Sequence, residues 1–254
     1  MKLFFRKSGE GRPLIILHGL FGMSDNWMTL SRQFTDNGFL VYSVDARNHG
    51  RSPHSEDFNY SLMSEDIIAL MDDEKISAAT LIGHSMGGKT AMWLACMHPD
   101  RVLKFISADI SPKYYAPHHQ TLFAAIHSID LGQLTSRKEA EAGLRNRLQD
   151  EDTIQFLLKN LFWNQKEKLE WRFYLSGIEK NIDSIGLALP AEYQYNGEVL
   201  FLRGEKSGYV SFGDKPEIIK HFPNAMISTV QNAGHWIHAE NPKGFMDNVM
   251  AFLK

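Results

Sequence analysis

The segment LIGHSMGGKT, residues 81–90, connects an apolar run to a segment with helical spacing through one serine. The residues before Ser85 are typical of a buried strand, and a helix is predicted to begin at Met86. Gly83 and Gly87 lie two positions away on either side, and glycine permits a tight turn with Ser85 at a positive φ. A serine held in this way between strand and helix is typical of a catalytic nucleophile. The alternative is a glycine-rich helix start with an incidental serine.

Short apolar runs and helical segments alternate along much of the chain. The runs that predict buried strands cover residues 13–19, 39–45, 79–85, 102–110, 199–204 and 225–230. The segments that predict helices cover residues 25–36, 61–74, 86–97, 215–222 and 243–253. Such alternation predicts an α/β fold, with a mostly parallel central sheet flanked by helices. The opening segment KLFFR is predicted to add an edge strand.

The alternation stops between residues 112 and 190. Four segments there have helical spacing, and no strand is predicted between them: FAAIHSI, EAEAGLRNRL, TIQFLLKNLFW and LEWRFYLSGIEKNI. Pro112 and Pro190 are suitable hinges, because proline and the residue before it resist a continuous helix. We therefore predict a core made of residues 1–111 and 190–254, with an inserted helical cap of residues 112–189.

The composition favours a soluble, cytoplasmic protein. The chain has 254 residues, 43% of them hydrophobic, which suits one domain with an insertion. Its formal net charge of -3 is mixed in sign and offers no broad basic field to nucleic acid. No run approaches the ~20 apolar residues that span a bilayer. The single cysteine, Cys96, is expected to be a small core residue on a helix, and a small or neutral molecule is the expected partner.

The predicted nucleophile needs a base, and the segment NAGHWIHAENP, residues 232–242, supplies one. His235 follows the last predicted strand and precedes the last helix, so it is expected at the same sheet edge as Ser85. An imidazole there can accept the serine proton and later deliver it to the leaving group. His238 is the competing base, and His18 is expected to order its own loop through hydrogen bonds.

The segment LHGLFG, residues 17–22, ends the first clear core strand and predicts part of an oxyanion site. Its glycines allow the loop to fold back over the strand ends. The backbone amides of Leu20 and Met86 are the predicted donors, and the helix that begins at Met86 adds partial positive charge. No metal site is expected, because neither pair of neighbouring histidines has a convincing third ligand. No cofactor is implied.

Five motifs, LHGLFG, DARNHGRS, GHSMGG, HPDRV and NAGHWIHAENP, resemble segments at matching positions of the α/β hydrolase fold family. The resemblance covers essentially the whole chain. Within the family it is closest to the YbfF-like bacterial esterases, through HGLFG, RNHGRS, GHSMGGK, DISP and GHWIHAE. The resemblance implies a capped hydrolase of carboxylic ester or thioester bonds that uses Ser85 and His235.

The third catalytic residue of that family commonly lies in a G-x-x-D turn after the penultimate strand. Residues 204–207 read GEKS here, and a neutral hydroxyl cannot offset the positive charge that His235 acquires. Asp109, which ends the strand predicted beside the nucleophile strand, is the expected acid, and the resemblance of DISP points the same way. Ser207 would then be a secondary hydrogen-bond partner of the histidine. Asp109 could instead cap the turn that follows it. Two weaker candidates for the acid are Glu205 and Asp214.

Aromatic residues of the cap and its borders predict an apolar wall for an acyl group, because ligand sites favour aromatic walls at domain junctions. The candidates are Tyr114, Phe162, Trp163 and Trp236. The leading function is hydrolysis of a small-molecule ester or thioester through a covalent acyl-enzyme. Carbon–carbon bond hydrolysis or a lyase reaction with the same residues is the alternative, since the fold alone does not decide the chemistry. A non-catalytic ligand receptor is the third interpretation.

Overall fold

The computed structural model of the chain describes residues 1–254. Its strands are β1 (Phe5–Ser8), β2 (Arg12–Leu17), β3 (Phe39–Val44), β4 (Ala79–His84), β5 (Val102–Ala108), β6 (Leu161–Trp163), β7 (Leu169–Trp171), β8 (Glu198–Gly204) and β9 (Ala225–Val230). Its helices are α1 (Met28–Thr35), α2 (Tyr60–Asp73), α3 (Met86–Met97), α4 (Gln120–His127), α5 (Arg137–Arg145), α6 (Glu151–Leu158), α7 (Leu175–Lys180), α8 (Ile182–Gly186), α9 (Lys215–His221), α10 (Ile237–Glu240) and α11 (Pro242–Leu253).

Seven strands form the central sheet, in the order β1-β3-β2-β4-β5-β8-β9. β1 pairs antiparallel with β3, and the other neighbouring pairs are parallel. The predicted mostly parallel sheet is therefore confirmed, including its edge strand. The five predicted core helices are also present, although the first begins with a 3-10 turn at Ser24–Trp27.

Helices cover both faces of the sheet, which explains the nearly continuous apolar runs of its inner strands. β4, in the middle, is buried along its whole length. Apolar residues of α2, α3 and α9 pack on one face, and those of α1 and α11 pack on the other. β4, which leads to Ser85, is thus packed against its neighbours on every side.

The segment between residues 112 and 190 lies outside the sheet and contains α4 to α8. The prediction that it lacks strands is wrong for residues 161–171, where β6 and β7 form an antiparallel hairpin. Aromatic residues favour strands, and the intervening turn is closed by a 2.8 Å hydrogen bond from the Asn164 amide to the Lys168 carbonyl. Glu167 adopts a φ of 55° in this turn, which a helix does not allow.

The chain enters and leaves this segment side by side. The Tyr115 amide donates to the Gly186 carbonyl at 2.8 Å, and the Leu189 amide donates to the Pro112 carbonyl at 2.8 Å. Buried Lys89 of α3 lies beneath the pair, and its ammonium donates to the carbonyls of Lys113 and Leu187. The side chain of Lys89 therefore binds both of these chain segments, residues 112–115 and 186–189. We call the two segments together the neck.

No helix in the structure combines the length and the apolar character needed to cross a membrane. The cytoplasmic location stays a prediction.

Candidate active site

Ser85 stands between β4 and α3 with a φ of 52° and a ψ of -117°, which confirms the expected positive φ. The turn leaves no room for larger residues at its glycines. A Cβ at Gly83 would lie 2.2 Å from the carbonyl oxygen of Gly87, and a Cβ at Gly87 would lie 2.3 Å from that of Leu17. The Ser85 amide donates to the Ala108 carbonyl at 3.1 Å, which ties the turn to β5. Glycine is thus required for the turn that presents Ser85.

Asp109 directly follows β5, at a φ of 53°, and is fully buried. Its Oδ1 accepts a 2.9 Å hydrogen bond from the Gly204 amide, and its Oδ2 accepts a 2.8 Å hydrogen bond from His235 Nδ1. The Ser207 hydroxyl donates to the same Oδ2, so Ser207 contacts the acid rather than the histidine. These donors compensate the cost of burying the carboxylate charge. The strand-tip position therefore yields a carboxyl group held in one orientation.

The His235 ring is held in one orientation. Its Nδ1 is bound to Asp109, and its backbone carbonyl accepts a 2.9 Å hydrogen bond from His84 Nε2. The Tyr209 ring stacks on it with centroids 3.8 Å apart and planes 18° apart. Tyr209 is itself bound through its hydroxyl to His118 Nε2 at 2.7 Å. The remaining ring nitrogen, Nε2, has no partner within the chain and is free for a reacting group.

Ser85 and His235 both line a cavity of about 590 Å³. The Ser85 hydroxyl makes no hydrogen bond, so no Ser85–His235 bond forms in this structure. Without a substrate such bonds are often long, and they tighten when the complex forms. The amides of Leu20 and Met86 also donate no hydrogen bond, and both residues line a smaller cavity beside Ser85. The region thus gathers a hydroxyl, an imidazole and two free N–H groups.

The other histidines considered as bases are engaged elsewhere. His18 donates through Nδ1 to the Gly19 carbonyl at 2.8 Å and accepts through Nε2 from the Ala46 amide at 3.0 Å, which confirms its loop-ordering role. His238 stacks on Trp27 with centroids 4.2 Å apart. Burial lowers the pKa of His238 to about 3, so its ring is neutral and a poor proton acceptor.

The other carboxylates considered as the acid do not contact the histidine. Glu205 accepts a 2.8 Å hydrogen bond from the Asn232 amide. Asp214 accepts a 2.8 Å hydrogen bond from the Lys113 ammonium. Asp109 is therefore the carboxylate that the structure brings to His235.

One of the four aromatic residues predicted to line a pocket, Trp236, does line the large cavity. The prediction is corrected for the other three. Phe162 packs under the Arg172 guanidinium at 4.5 Å, and the residues Trp163 and Tyr114 are 45% and 56% exposed. For Phe162 and Trp163 the cause is the β6–β7 hairpin, which orients its aromatic residues differently from a helix; Tyr114 lies outside the hairpin, before α4. The aromatic residues found in the wall are Phe21, Trp27, Phe156, Tyr209 and Trp236.

Tyr209 and His119 lie beside the reacting groups, and neither was predicted. Tyr209 lies two positions after Ser207, so its stacking on the histidine could have been suspected from the turn. His119 lines both cavities, and its Nδ1 is buried without a hydrogen-bond partner. Burial lowers the pKa of His119 to about 4, so a neutral ring faces the reacting region. Nothing in the local sequence distinguishes His119 from its neighbour His118.

Hydrolases with a serine–histidine–carboxylate triad share this arrangement, in which the serine occupies a strained turn between strand and helix. The chain belongs to the α/β hydrolase fold family, whose sequence model matches residues 12–242.

The similarity to named relatives covers almost the whole chain. It is 37% identical to the sn-1-specific diacylglycerol lipase ABHD11 of Danio rerio, over 98% of this chain and 81% of that protein. It is 36% identical to Esterase YbfF of Escherichia coli, over 95% of this chain and 92% of that protein. A solved structure described as a marine microorganism esterase is 42% identical, with a TM-score of 0.96 and 99% coverage of both chains. The expected resemblance to YbfF-like esterases is confirmed.

Proposed function

We propose that the chain is a serine ester hydrolase in which Ser85 is the nucleophile, His235 the general base and Asp109 the orienting acid. The observation that carries the proposal is the 2.8 Å hydrogen bond between His235 Nδ1 and Asp109 Oδ2, which leaves Nε2 free beside the cavity that Ser85 lines. The esterase and lipase names of the relatives support the same class of reaction.

The reaction then proceeds in two halves. Ser85 Oγ attacks the ester carbonyl carbon while His235 Nε2 takes the hydroxyl proton, and the same nitrogen returns that proton to the departing alcohol oxygen. Water repeats the sequence on the acyl-enzyme and releases the carboxylic acid. Asp109 holds the ring through Nδ1–H and offsets the charge that the imidazole gains in each half.

The free amides of Leu20 and Met86 are the proposed oxyanion donors. They lie on the loop after β2 and at the start of α3, with no acceptor of their own in the chain. Met86 begins α3, so the helix N-terminus adds partial positive charge at the same place. Two fixed donors are worth more in the transition state than in the ground state, because the charge on the oxygen develops there.

The charge of the large cavity favours uncharged oxygen esters over acyl-CoA. Its wall carries three carboxylates and neither lysine nor arginine: Asp150, Asp152 and Glu240. A leaving group that carries phosphates would meet like charge without a cationic partner. We therefore propose an uncharged alcohol as the leaving group.

We also propose that residues 112–189 act as a cap over the core. Residues from this segment, including Leu122, Leu148 and Phe156, complete the wall of the cavity that Ser85 lines. The neck fastened by Lys89 would hold the cap in place over the reacting atoms.

The direct test is the hydrolysis of p-nitrophenyl butyrate by the wild-type chain and by Ser85→Ala. We expect the substitution to lower kcat by about four orders of magnitude or more, since the nucleophile is lost. Ser8→Ala, at an exposed position of β1, is the matched control and should retain full activity. An inactive wild type would refute the proposal and favour carbon–carbon chemistry or a receptor, whereas an active Ser85→Ala would refute the role of Ser85 as the nucleophile.

A further inference from the structure

Two cavities of very different size meet at Ser85. The large one has a volume of about 590 Å³, and the small one has a volume of about 40 Å³. Leu20, His119 and Tyr209 line both, so the cavities adjoin each other around the reacting serine. An ester bound with its carbonyl at Ser85 has two arms, the acyl group and the alcohol group, and it extends one arm into each cavity.

The position of His235 decides which cavity holds the acyl group and which holds the alcohol group. It lines the large cavity and not the small one. The alcohol oxygen must receive its proton from His235 as the ester bond breaks, so the alcohol arm has to lie on that side. Resting on the proposed ester hydrolysis, we infer that the small cavity is the acyl pocket and that it restricts the enzyme to short acyl groups.

The volume of the pocket limits the acyl chain. A cavity needs a volume of roughly 10–15 Å³ to hold one water molecule. The small cavity, at about 40 Å³, therefore accommodates roughly three non-hydrogen atoms. That space suits acetyl to butyryl groups. The wall is largely apolar, with Ile110, Ile182 and Ile185 among its residues, so it favours an alkyl chain over a carboxylate or a hydroxyl.

Hydrogen bonds fix the far wall of the pocket. The Tyr60 hydroxyl, itself buried, donates to the Ile185 carbonyl at 2.7 Å, and the Tyr115 amide donates to the Gly186 carbonyl at 2.8 Å. The Gly186 backbone also lies against that of Tyr115, since a Cβ at Gly186 would be 2.2 Å from the Tyr115 carbonyl oxygen. A longer acyl chain would have to separate these elements.

Two ester series on the wild-type enzyme test the assignment of the arms. In p-nitrophenyl esters of growing acyl length, kcat/KM should be highest between acetate and butyrate and fall by about tenfold or more at octanoate. In acetate esters of growing alcohol length, kcat/KM should change little from ethyl to octyl. Preference for long acyl groups with intolerance of long alcohols would overturn the inference.

Enlarging the pocket tests the residues that limit it. Ile185→Ala should raise the octanoate-to-butyrate ratio of kcat/KM by about tenfold, because it removes methylenes from the end wall. Leu122→Ala is the matched control: it trims the large cavity only, so that ratio should stay unchanged. If Ile185→Ala fails to fold, Ile182→Ala, which is half-buried, takes its place. An unchanged ratio in the folded variant would contradict the assignment.

These outcomes separate the inference from the proposed function. If no ester of either series is hydrolysed, the proposed function fails. If esters are hydrolysed but octanoate is as good as butyrate, the function stands and the acyl-pocket assignment fails.

Discussion

Asp109 and His235 are joined by a 2.8 Å hydrogen bond although 126 residues separate them in the chain. The bond depends on the order of strands in the sheet. β5 lies beside β8 and β8 beside β9, so the residue that follows β5 reaches the loop that follows β9. Asp109 also binds the Gly204 amide at the end of β8, the strand between them. The proposed acid thus reaches His235 across the tip of the strand where the family commonly places it.

The first prediction concerns the acid itself. Asp109→Asn should lower kcat by about three to four orders of magnitude, because an amide neither fixes the His235 tautomer nor offsets the imidazolium charge. The fold should survive, since the amide oxygen can still accept from the Gly204 amide. Ester hydrolysis measures the first effect, and thermal unfolding measures the second. Near wild-type activity in Asp109→Asn would contradict the assignment of the acid, and Glu205 and Asp214 would be the next residues to substitute.

The second prediction uses position 207. Ser207→Ala should cost less than about tenfold in kcat, since it removes one neutral donor from a carboxylate that keeps two others. The double variant Asp109→Asn, Ser207→Asp moves the carboxylate to the turn that commonly carries it. It should recover at least about tenfold of the activity lost by Asp109→Asn alone. Ser207→Asp alone should be impaired, because two carboxylates would then share one site. No recovery in the double variant would contradict the proposed role of the acid.

The third prediction concerns the neck that joins the proposed cap to the core. Lys89→Met leaves the carbonyls of Lys113 and Leu187 without their buried donor, and it should lower the free energy of unfolding by about 1–3 kcal/mol. Amide hydrogen exchange should accelerate at residues 112–118 and 186–190. Lys243→Met is the control, because that side chain is 86% exposed and should change neither quantity. Unchanged exchange at the neck would show that Lys89 does not fasten it.

The fourth prediction is a loss of stability in acid. Burial lowers the pKa of His49 and of His238 from 6.5 to about 3. Between these pH values the unfolded chain binds protons that the folded chain does not, so stability falls as pH drops below 6.5. Each histidine should contribute about 1 kcal/mol per pH unit. Urea unfolding at pH 7 and pH 5 measures the slope. His238→Asn should reduce it, and an identical slope in the variant would contradict this cause.

Much of this architecture was predictable because periodicity reports burial. Every predicted core strand and helix begins and ends within a few residues of its predicted bounds, since the inner strands are apolar on both faces. The turn at Ser85 was predictable in detail, because Gly83 and Gly87 are required by close backbone contacts.

The remaining features depend on tertiary contacts that local patterns do not contain. The β6–β7 hairpin is short and apolar, so its pattern cannot be told from a helix. The contact of Ser207 with Asp109 joins residues 98 positions apart, and Asp109 has a positive φ, a conformation uncommon outside glycine. The walls of the two cavities combine residues from loops and cap that are distant in sequence, such as Leu20 and Ile185.

The most direct test of the central claim is to identify the residue that a fluorophosphonate labels. We expect mass spectrometry to find one adduct per chain, on Ser85, and none in Ser85→Ala or in the urea-unfolded protein. Labelling should be much slower in Asp109→Asn, because His235 activates the hydroxyl only when the carboxylate orients it. An adduct on another residue, or no adduct on the folded wild type, would contradict the claim that Ser85 is the activated nucleophile.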